Sequence, residues 1–279
     1  MEVEVIEYSP LRLRLLLRKV PLPLVNAIRR SCYTDVPVMA VDKVEFFENN
    51  TVLYDEIIAH RLGLIPLSSA EALEKYGWPE KCKDARLGDP NCYVTLELDV
   101  KTGPDEQRIV YSGDLTSSDP SVKPVYDNIP IVVMAPDQHL HLVAYARLGY
   151  GKEHAKWMPV SIAAHKYLPV ISFDVNKIDQ KCMECIETTA PQIAEKMKKM
   201  GSGSFEIKED INTSGLYWCV NKRCNGSQVK LEYKSDEFIL TIESTGALDT
   251  KIIVLKALES IRRRIEAVLK ELVTLTAKR

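Results

Sequence analysis

The C-terminal segment carries the pattern that most restricts how this chain can fold. Its apolar residues recur at alternating intervals of four and three positions, at Val254, Leu258, Ile261, Ile265, Val268, Leu272 and Leu275. This 3.5-residue repeat is typical of a helix that packs along another helix. Asp249 or Thr250 can cap its start, and a helix from about residue 250 to 276 would be roughly 40 Å long. The helix could pack only on its own domain, but a long seam at a chain end favours association with another helix.

Alternating apolar and polar residues, together with other strand-like stretches, predict β-strands along much of the remaining chain. The clearest segments are 3–5, 11–15, 41–46, 93–100, 108–111, 129–134, 139–148, 168–173, 204–207, 229–233 and 238–242. Helical patterns lie between some of these strands. The sequence therefore predicts an α+β fold.

The first predicted helix follows a strand that prolines within 21–23 bring to an end. Proline suits the first turn of a helix, because that turn does not use its N–H groups. Leu24, Ala27 and Ile28 then share one apolar face, and the helix is expected to end near 35–37. This face is a second candidate surface for association.

Two more helices are predicted before residue 80. One begins near Thr51 and ends at Gly63, where glycine is well placed to terminate a helix. The other is short, begins with a capping box at 68–71 and ends at Gly77.

Charge and hydropathy exclude several classes of protein. The 279 residues contain 37 Lys and Arg against 39 Asp and Glu, a net charge of −2, whereas dedicated nucleic-acid binders usually have a basic excess. The short basic run 262–264 is interpreted as a solvated helix face. No apolar run approaches the ~18 residues of a membrane span, and the acidic start does not match a secretory signal. We expect a soluble cytoplasmic chain with no membrane partner.

Seven cysteines are distributed unevenly. Four of them, Cys182, Cys185, Cys219 and Cys224, lie within 174–226, and Cys82, Cys92 and Cys32 precede them. We interpret 174–226 as a small α+β insertion, with one short helix that Thr189 caps and Gly201 ends, too small to be very stable without cross-links. Four thiols suit zinc or an iron–sulfur cluster. A ferredoxin-type cluster motif would need cysteines at the positions of Thr188 and Gln192, so the spacing of that motif is broken. A metal site, disulfides and free thiols all stay open for these four cysteines.

No recognisable catalytic constellation is found in the sequence. It contains no Gly-rich phosphate loop, no nucleophile elbow and no His-Glu-x-x-His helix. His139 and His141 share one face of a predicted strand, which suits a metal, but surface or partly packed histidines are the commoner case. Trp157 is a candidate anchor for a partner or for its own domain. We therefore predict no catalytic residues.

Four motifs resemble one known family, the alpha-like family of archaeal DNA-directed RNA polymerase subunits. They are PLVNAIRR at 23–30, VPVMAVD at 36–42, NNTVLYDEIIAHRLGLIPL at 49–67 and RLGYGKEHAKWMPV at 147–160. This family is the counterpart of the N-terminal region of the bacterial alpha subunit and of the third-largest eukaryotic subunit. The resemblance extends to the C-terminal helix.

The resemblance implies three structural parts. Segments 1–48 and 235–279 would form a discontinuous alpha-subunit-like dimerisation domain. Residues 49–173, with 227–234 adjoining, would form an inserted, mainly β domain, and 174–226 a ferredoxin-like α+β insertion.

The resemblance also implies a non-catalytic assembly subunit of a DNA-directed RNA polymerase. Its partner would be the small subunit L, and the heterodimer would recruit subunits N and P and the two large catalytic subunits, contacting DNA only indirectly. The expected interface combines the two apolar helix faces, Leu24, Ala27, Ile28, Val254, Leu258, Ile261, Ile265, Val268, Leu272 and Leu275.

Some members of the family hold iron–sulfur clusters in the insertion. Because the cysteines here are too few and wrongly spaced, we predict no such cofactor, and zinc is left as an alternative. The expected cross-link joins Cys182 or Cys185 to Cys219 or Cys224. Two rival functions stay open: an electron-transfer protein built on the cysteine segment, and a homodimeric adaptor that pairs through the C-terminal helix.

Overall fold

The computed structural model describes residues 1–82, 84–224 and 229–277 and has a mixed α/β fold. Its strands are β1 (Glu2–Tyr8), β2 (Arg12–Arg18), β3 (Val38–Asn49), β4 (Tyr93–Lys101), β5 (Arg108–Tyr111), β6 (Thr116–Ser117), β7 (Pro130–Met134), β8 (His139–Gly149), β9 (Val160–Asp174), β10 (Ser202–Glu206) and β11 (Val229–Ser244). Its helices are α1 (Leu22–Thr34), α2 (Asp55–Gly63), α3 (Ala70–Lys75), α4 (Gln180–Thr189), α5 (Pro191–Met200), α6 (Thr213–Lys222) and α7 (Thr250–Ala277). Among the described residues, no helix offers the 18-residue apolar window that a bilayer span requires.

The strands form three sheets. The largest has the order β1-β2-β11-β9-β10, a second has the order β3-β8-β4-β6, and β5 pairs with β7. Strand β8 pairs antiparallel with β3 on one side and with β4 on the other. The chain divides into two compact units, one made of Met1–Glu7, Arg14–Val25 and Ala164–Thr241, the other of Tyr8–Leu13, Asn26–Ala163 and the chain from Ile242 on.

The unit that contains β3, β4 and β8 has a large apolar core around these strands. Along β8, buried and half-buried residues alternate, so Leu140 and Leu142 point inward. Leu96 and Leu98 of β4 do the same, and Ile58 of α2 packs into this cluster. The period of two seen in the sequence therefore corresponds to one buried face of the sheet.

The other unit includes the cysteine-containing segment, which builds its own small core. Ile186, Ile193 and Leu216, from α4, α5 and α6, are fully buried there with Ile171 of β9. Disulfides join Cys182 to Cys224 and Cys185 to Cys219. Both bonds connect α4 with α6 or the residues just after it, so they tie the first and last helices of the segment together.

Helix α2 begins four residues later than the sequence pattern suggests. The start near Thr51 was wrong because Asn49 folds the preceding residues into a turn. Its Oδ1 accepts a hydrogen bond from the Thr51 N–H at 3.1 Å, and its Nδ2 donates to the Leu53 carbonyl at 2.9 Å. The predicted end at Gly63 is confirmed.

The capping box predicted for the short helix α3 is absent. Ser69 precedes the helix but makes no side-chain capping bond. Its Oγ instead donates to the Leu67 carbonyl at 2.8 Å and accepts from the Met39 N–H at 3.0 Å. The predicted pattern at 68–71 would use Ser68 as the cap, but the residue before the helix is Ser69, whose hydroxyl is engaged in the contact with Met39.

The segment 174–224 contains three helices where the sequence analysis predicted one. Helix α5 is confirmed, but α4 and α6 were missed, and Thr189 ends α4 rather than capping α5. The Thr189 hydroxyl lies 3.3 Å from Cys219 Sγ. Asp179 and Asn212 cap α4 and α6, accepting from Cys182 N at 2.7 Å and Gly215 N at 2.9 Å, and were the local signals overlooked.

Candidate partner interface

Helix α7 begins at a well-defined point in its own unit. The Asp249 carboxylate accepts a hydrogen bond from the Lys251 N–H at 2.7 Å, which satisfies one of the free donors of the first turn. Thr250 is fully buried, and its hydroxyl donates to the Ser9 carbonyl at 2.9 Å. Both residues that the sequence offered as caps therefore hold the start of the helix.

The first half of α7 packs against its own unit. Ile253 and Ala257 are fully buried, whereas Leu258 is 41% exposed. The Ser31 hydroxyl of α1 donates to the Ala257 carbonyl at 3.1 Å. The buried stripe lies one position away from the predicted seam, so the chain's own packing leaves much of the seam uncovered.

Charged side chains near the middle of α7 make several contacts where the buried stripe gives way to the exposed half of the helix. The Arg263 guanidinium lies 4.1 Å from the centre of the Trp78 ring, and Lys256 Nζ lies 5.3 Å from it. Arg264 Nη2 pairs with Asp35 Oδ2 at 2.6 Å. Arg262 pairs with Glu266 at 2.6 Å. The basic run 262–264 is exposed to solvent, as predicted, and its side chains also have partners within the chain.

Beyond Arg264, α7 presents a series of large apolar side chains to solvent. The exposed fractions are 55% for Ile265, 60% for Val268, 55% for Leu269, 53% for Leu272 and 62% for Leu275. Exposed apolar stretches of this kind mark association sites. We call these five residues the α7 apolar stripe.

The other predicted interface residues differ in how much surface they offer. Val254 and Ile261 are half-buried, as is Ala27, and Leu24 is 37% exposed. Ile28 is only 6% exposed because the chain's own interior takes it up. The free surface of the predicted faces is therefore concentrated in the second half of α7.

Side chains of the motif 147–160 contact one another and meet at Asp42. Asp42 accepts hydrogen bonds from Arg147 Nε and Lys156 Nζ, each at 2.8 Å. The Trp157 ring lies 4.3 Å from both cations. Burial raises the pKa of Asp42, but the hydrogen bonds from Lys156 and Arg147 outweigh it and leave the pKa below its usual value.

Trp157 is an anchor inside its own unit. It is 3% exposed, and its Nε1 donates to the Arg147 carbonyl at 3.2 Å. A Cβ atom added at Gly149 would overlap the Trp157 ring. Of the two roles open for Trp157, the structure shows the intramolecular one.

Comparison with known proteins relates this architecture to a family. Residues 44–173 match the RNA polymerase Rpb3/RpoA insert domain. DNA-directed RNA polymerase subunit Rpo3 of Aeropyrum pernix is 44% identical over 95% of this chain and 92% of its own length. The chain belongs to the Rpo3 family of DNA-directed RNA polymerase subunits.

The Rpo3 family relationship extends across archaea and into eukaryotes. Rpo3 of Methanothermobacter thermautotrophicus is 37% identical over 90% of each chain. The DNA-directed RNA polymerase II subunit rpb3 of Dictyostelium discoideum is 35% identical over 95% of this chain and 92% of its own. The resemblance to the alpha-like archaeal polymerase subunits is thereby confirmed, and the matched insert domain contains the second half of β3, with β4 and β8, but not α7.

The cysteines of this Rpo3-family chain are almost all paired. Besides the two disulfides of the insertion, Cys82 is joined to Cys92. Cys32 is the one free thiol among the described cysteines, and burial raises its pKa to about 12. The four cysteine sulfurs of the insertion are thus held in two disulfide bonds, which would have to be reduced before these sulfurs could bind a metal.

Proposed function

We propose that this chain is a non-catalytic assembly subunit of a cytoplasmic DNA-directed RNA polymerase. It pairs with the small subunit L through the α7 apolar stripe, and the heterodimer then recruits subunits N and P and the two large catalytic subunits. Segments 1–48 and 235–279 act as the discontinuous dimerisation domain, and 174–226 is a ferredoxin-like insertion. Nucleotidyl transfer belongs to the large subunits, and DNA is contacted only through the complex.

The α7 apolar stripe is the observation that carries this proposal. Burying a Leu, Ile or Val side chain completely is worth about 1.5–3 kcal/mol, so covering the exposed half of each would contribute roughly 1 kcal/mol. Five such residues on one helix supply a continuous contact for a partner helix. The middle of such a contact excludes water most completely, which makes Ile265 and Val268 the expected centre of binding.

Membership of the Rpo3 family supports the kind of complex, because the relatives named above are RNA polymerase subunits. The net charge of −2 also fits a chain that reaches DNA through other subunits. The paired insertion cysteines fit a structural segment better than an electron carrier.

The first test is purification of the tagged chain from its native cells, with mass spectrometry of the proteins that accompany it. We expect a small partner and two very large subunits in constant ratio to the tagged chain. Recovery of the chain alone, or as a self-pair, at gentle salt would overturn the proposal.

The second test places an aspartate in the centre of the stripe. Ile265→Asp would bury an unpaired charge on association, so we expect binding of the small partner to weaken by about 100-fold or more. Thr274→Asp is the matched control, since it adds the same charge about 2.5 turns further along, on the opposite face of the helix from Ile265. Unchanged partner binding by Ile265→Asp, or equal loss in both variants, would contradict the assignment of this face.

A further inference from the structure

The solvent face of the insert-domain sheet carries a cluster of imidazoles and carboxylates. Strand β8 lies between β3 and β4, and its residue His141 is directly opposite Glu48 on β3 and Asp99 on β4. Its neighbours Leu140 and Leu142 point into the core, so His139 and His141 share the outer face. Three strands thus bring acids and histidines to one place.

The contacts within this cluster are short and directional. His139 Nδ1 lies 2.6 Å from Glu48 Oε2, and His139 Nε2 lies 2.7 Å from Asp99 Oδ1. His141 Nε2 lies 3.6 Å from Glu97 Oε1. One ligand atom each from Asp99, His139 and His141 can be chosen so that all lie within 4.8 Å of one another.

An imidazole between two carboxylates has a specific chemical requirement. Ionised carboxylates only accept hydrogen bonds, and a neutral imidazole has a single N–H to donate. Two arrangements therefore let His139 interact favourably with both Glu48 and Asp99. It can carry a second proton and donate a hydrogen bond to each carboxylate, or it can donate to one carboxylate and bind a cation together with the other. A metal-bound histidine almost always donates its other N–H to a carboxylate or carbonyl, and Glu48 stands where that partner is needed.

The surroundings hold the two rings while leaving one side open. The His139 side chain is 15% exposed and that of His141 is 30% exposed. The Phe47 ring packs 4.8 Å from the His141 ring, and the two imidazoles lie nearly parallel, 6.1 Å apart. The Asp99 side chain is 51% exposed, so water and ions reach the cluster from its side.

We propose that Asp99, His139 and His141 form a zinc-binding site, in which Glu48 orients His139 and water completes the coordination. Two imidazole nitrogens and a carboxylate oxygen are ligands that Zn²⁺ takes readily, at ~2.0–2.2 Å. Ligand atoms around such an ion lie about 3.3 Å apart, so closing the site needs small side-chain rotations. The bound ion would link β4 to β8 near the ends of both strands and so stabilise the insert domain.

The test is a zinc titration of the full chain in competition with a chromophoric chelator. We expect one ion per chain that depends on this cluster. Removing an orienting carboxylate typically weakens metal binding by about 10–100-fold, so Glu48→Gln should fall in that range. His141→Ala and Asp99→Asn remove a ligand outright and should weaken binding by about 100-fold or more.

Glu45→Gln is the matched control. Glu45 is an exposed carboxylate on β3, the strand that carries Glu48, but it accepts a hydrogen bond from the Tyr145 hydroxyl and not from a histidine. Its zinc affinity should stay within about twofold of the unsubstituted chain. Equal affinity in the His141→Ala, Asp99→Asn and unsubstituted chains would overturn the proposal, as would an equal loss in Glu45→Gln.

A second readout identifies the ligands directly. Co²⁺ bound in place of zinc gives visible bands that report its coordination, and thiolate ligands add an intense charge-transfer band. We expect bands without the thiolate feature, and we expect them to vanish in His141→Ala. A thiolate band would place the ion on reduced cysteines and refute the assignment.

Discussion

The two halves of α7 carry the same apolar repeat but meet different surroundings. In the first half, Ile253 and Ala257 are fully buried against their own unit, and Ser31 donates a hydrogen bond to the Ala257 carbonyl. In the second half, the α7 apolar stripe is 53–62% exposed. The difference teaches that a heptad pattern predicts a helix with an apolar face, whereas the rest of the fold decides which part of that face is left for a partner.

The largest expected effect is a difference in stability between substitutions at a buried and at an exposed isoleucine of α7. Ile253→Ala should lower the free energy of unfolding by about 2–5 kcal/mol, because it empties a fully packed site. Ile265→Ala makes the same chemical change at an exposed position and should alter it by no more than ~0.5 kcal/mol. Urea denaturation of the two variants measures the contrast.

The opposite ranking of these two variants would break the comparison. It would mean that the second half of α7 supports the isolated chain and the first half does not. A partner-binding assay on the same proteins adds a check, since Ile265→Ala should weaken association while leaving the fold intact.

A smaller effect is expected from two threonines on the same helix. Thr250→Val removes a buried hydroxyl and one of the two donors of the Ser9 carbonyl, which keeps the Arg12 N–H at 3.2 Å, so it should cost about 0.5–1.5 kcal/mol. Thr274 donates to the Lys270 carbonyl at 2.8 Å in an exposed position, so Thr274→Val should be close to neutral. Thermal unfolding midpoints compare the two, and an equal shift would argue that burial does not distinguish them.

The smallest effect concerns the ion pairs near the middle of α7. The Asp35 side chain is 9% exposed and pairs with Arg264, so Asp35→Asn should lower stability by about 0.5–1 kcal/mol. Glu266→Gln breaks the Arg262–Glu266 pair, whose side chains are 79% and 56% exposed, and should lower stability by less than Asp35→Asn because solvent screens the pair. Raising the salt concentration should reduce the stability loss in Glu266→Gln before that in Asp35→Asn. If Asp35→Asn responded to salt first, the result would contradict the difference in burial between the two pairs.

Much of the regular structure was predictable because local patterns carry it. The repeat of 254–275 predicted α7 from Thr250 almost to its end, and alternation predicted β4 and β8 within a residue or two. The helices α4 and α6 were not predicted because their cysteines were interpreted as metal ligands or cross-links and not as residues of helices. The two strand patterns at 229–233 and 238–242 form one strand, β11, because a polar stretch continues the strand between them.

Side-chain partnerships were harder to predict because they join residues far apart in the chain. Nothing near Ser69 shows that its hydroxyl will bond Met39, and nothing near Arg264 shows that Asp35 will pair with it. The His-x-His pattern at 139 and 141 was visible, but its carboxylate neighbours come from β3 and β4. Only the pairing of those strands with β8 brings them together.

The sequence by itself determined the α+β class, the long C-terminal helix and the family motifs, because periodicity and local residue chemistry are written in consecutive positions. The tertiary structure decided which apolar side chains the chain buries for itself and which remain exposed on α7. It also decided the pairing of the cysteines and the meeting of acids with histidines on β8. These outcomes depend on which distant segments become neighbours, and that is set by packing the whole unit rather than by any one stretch of it.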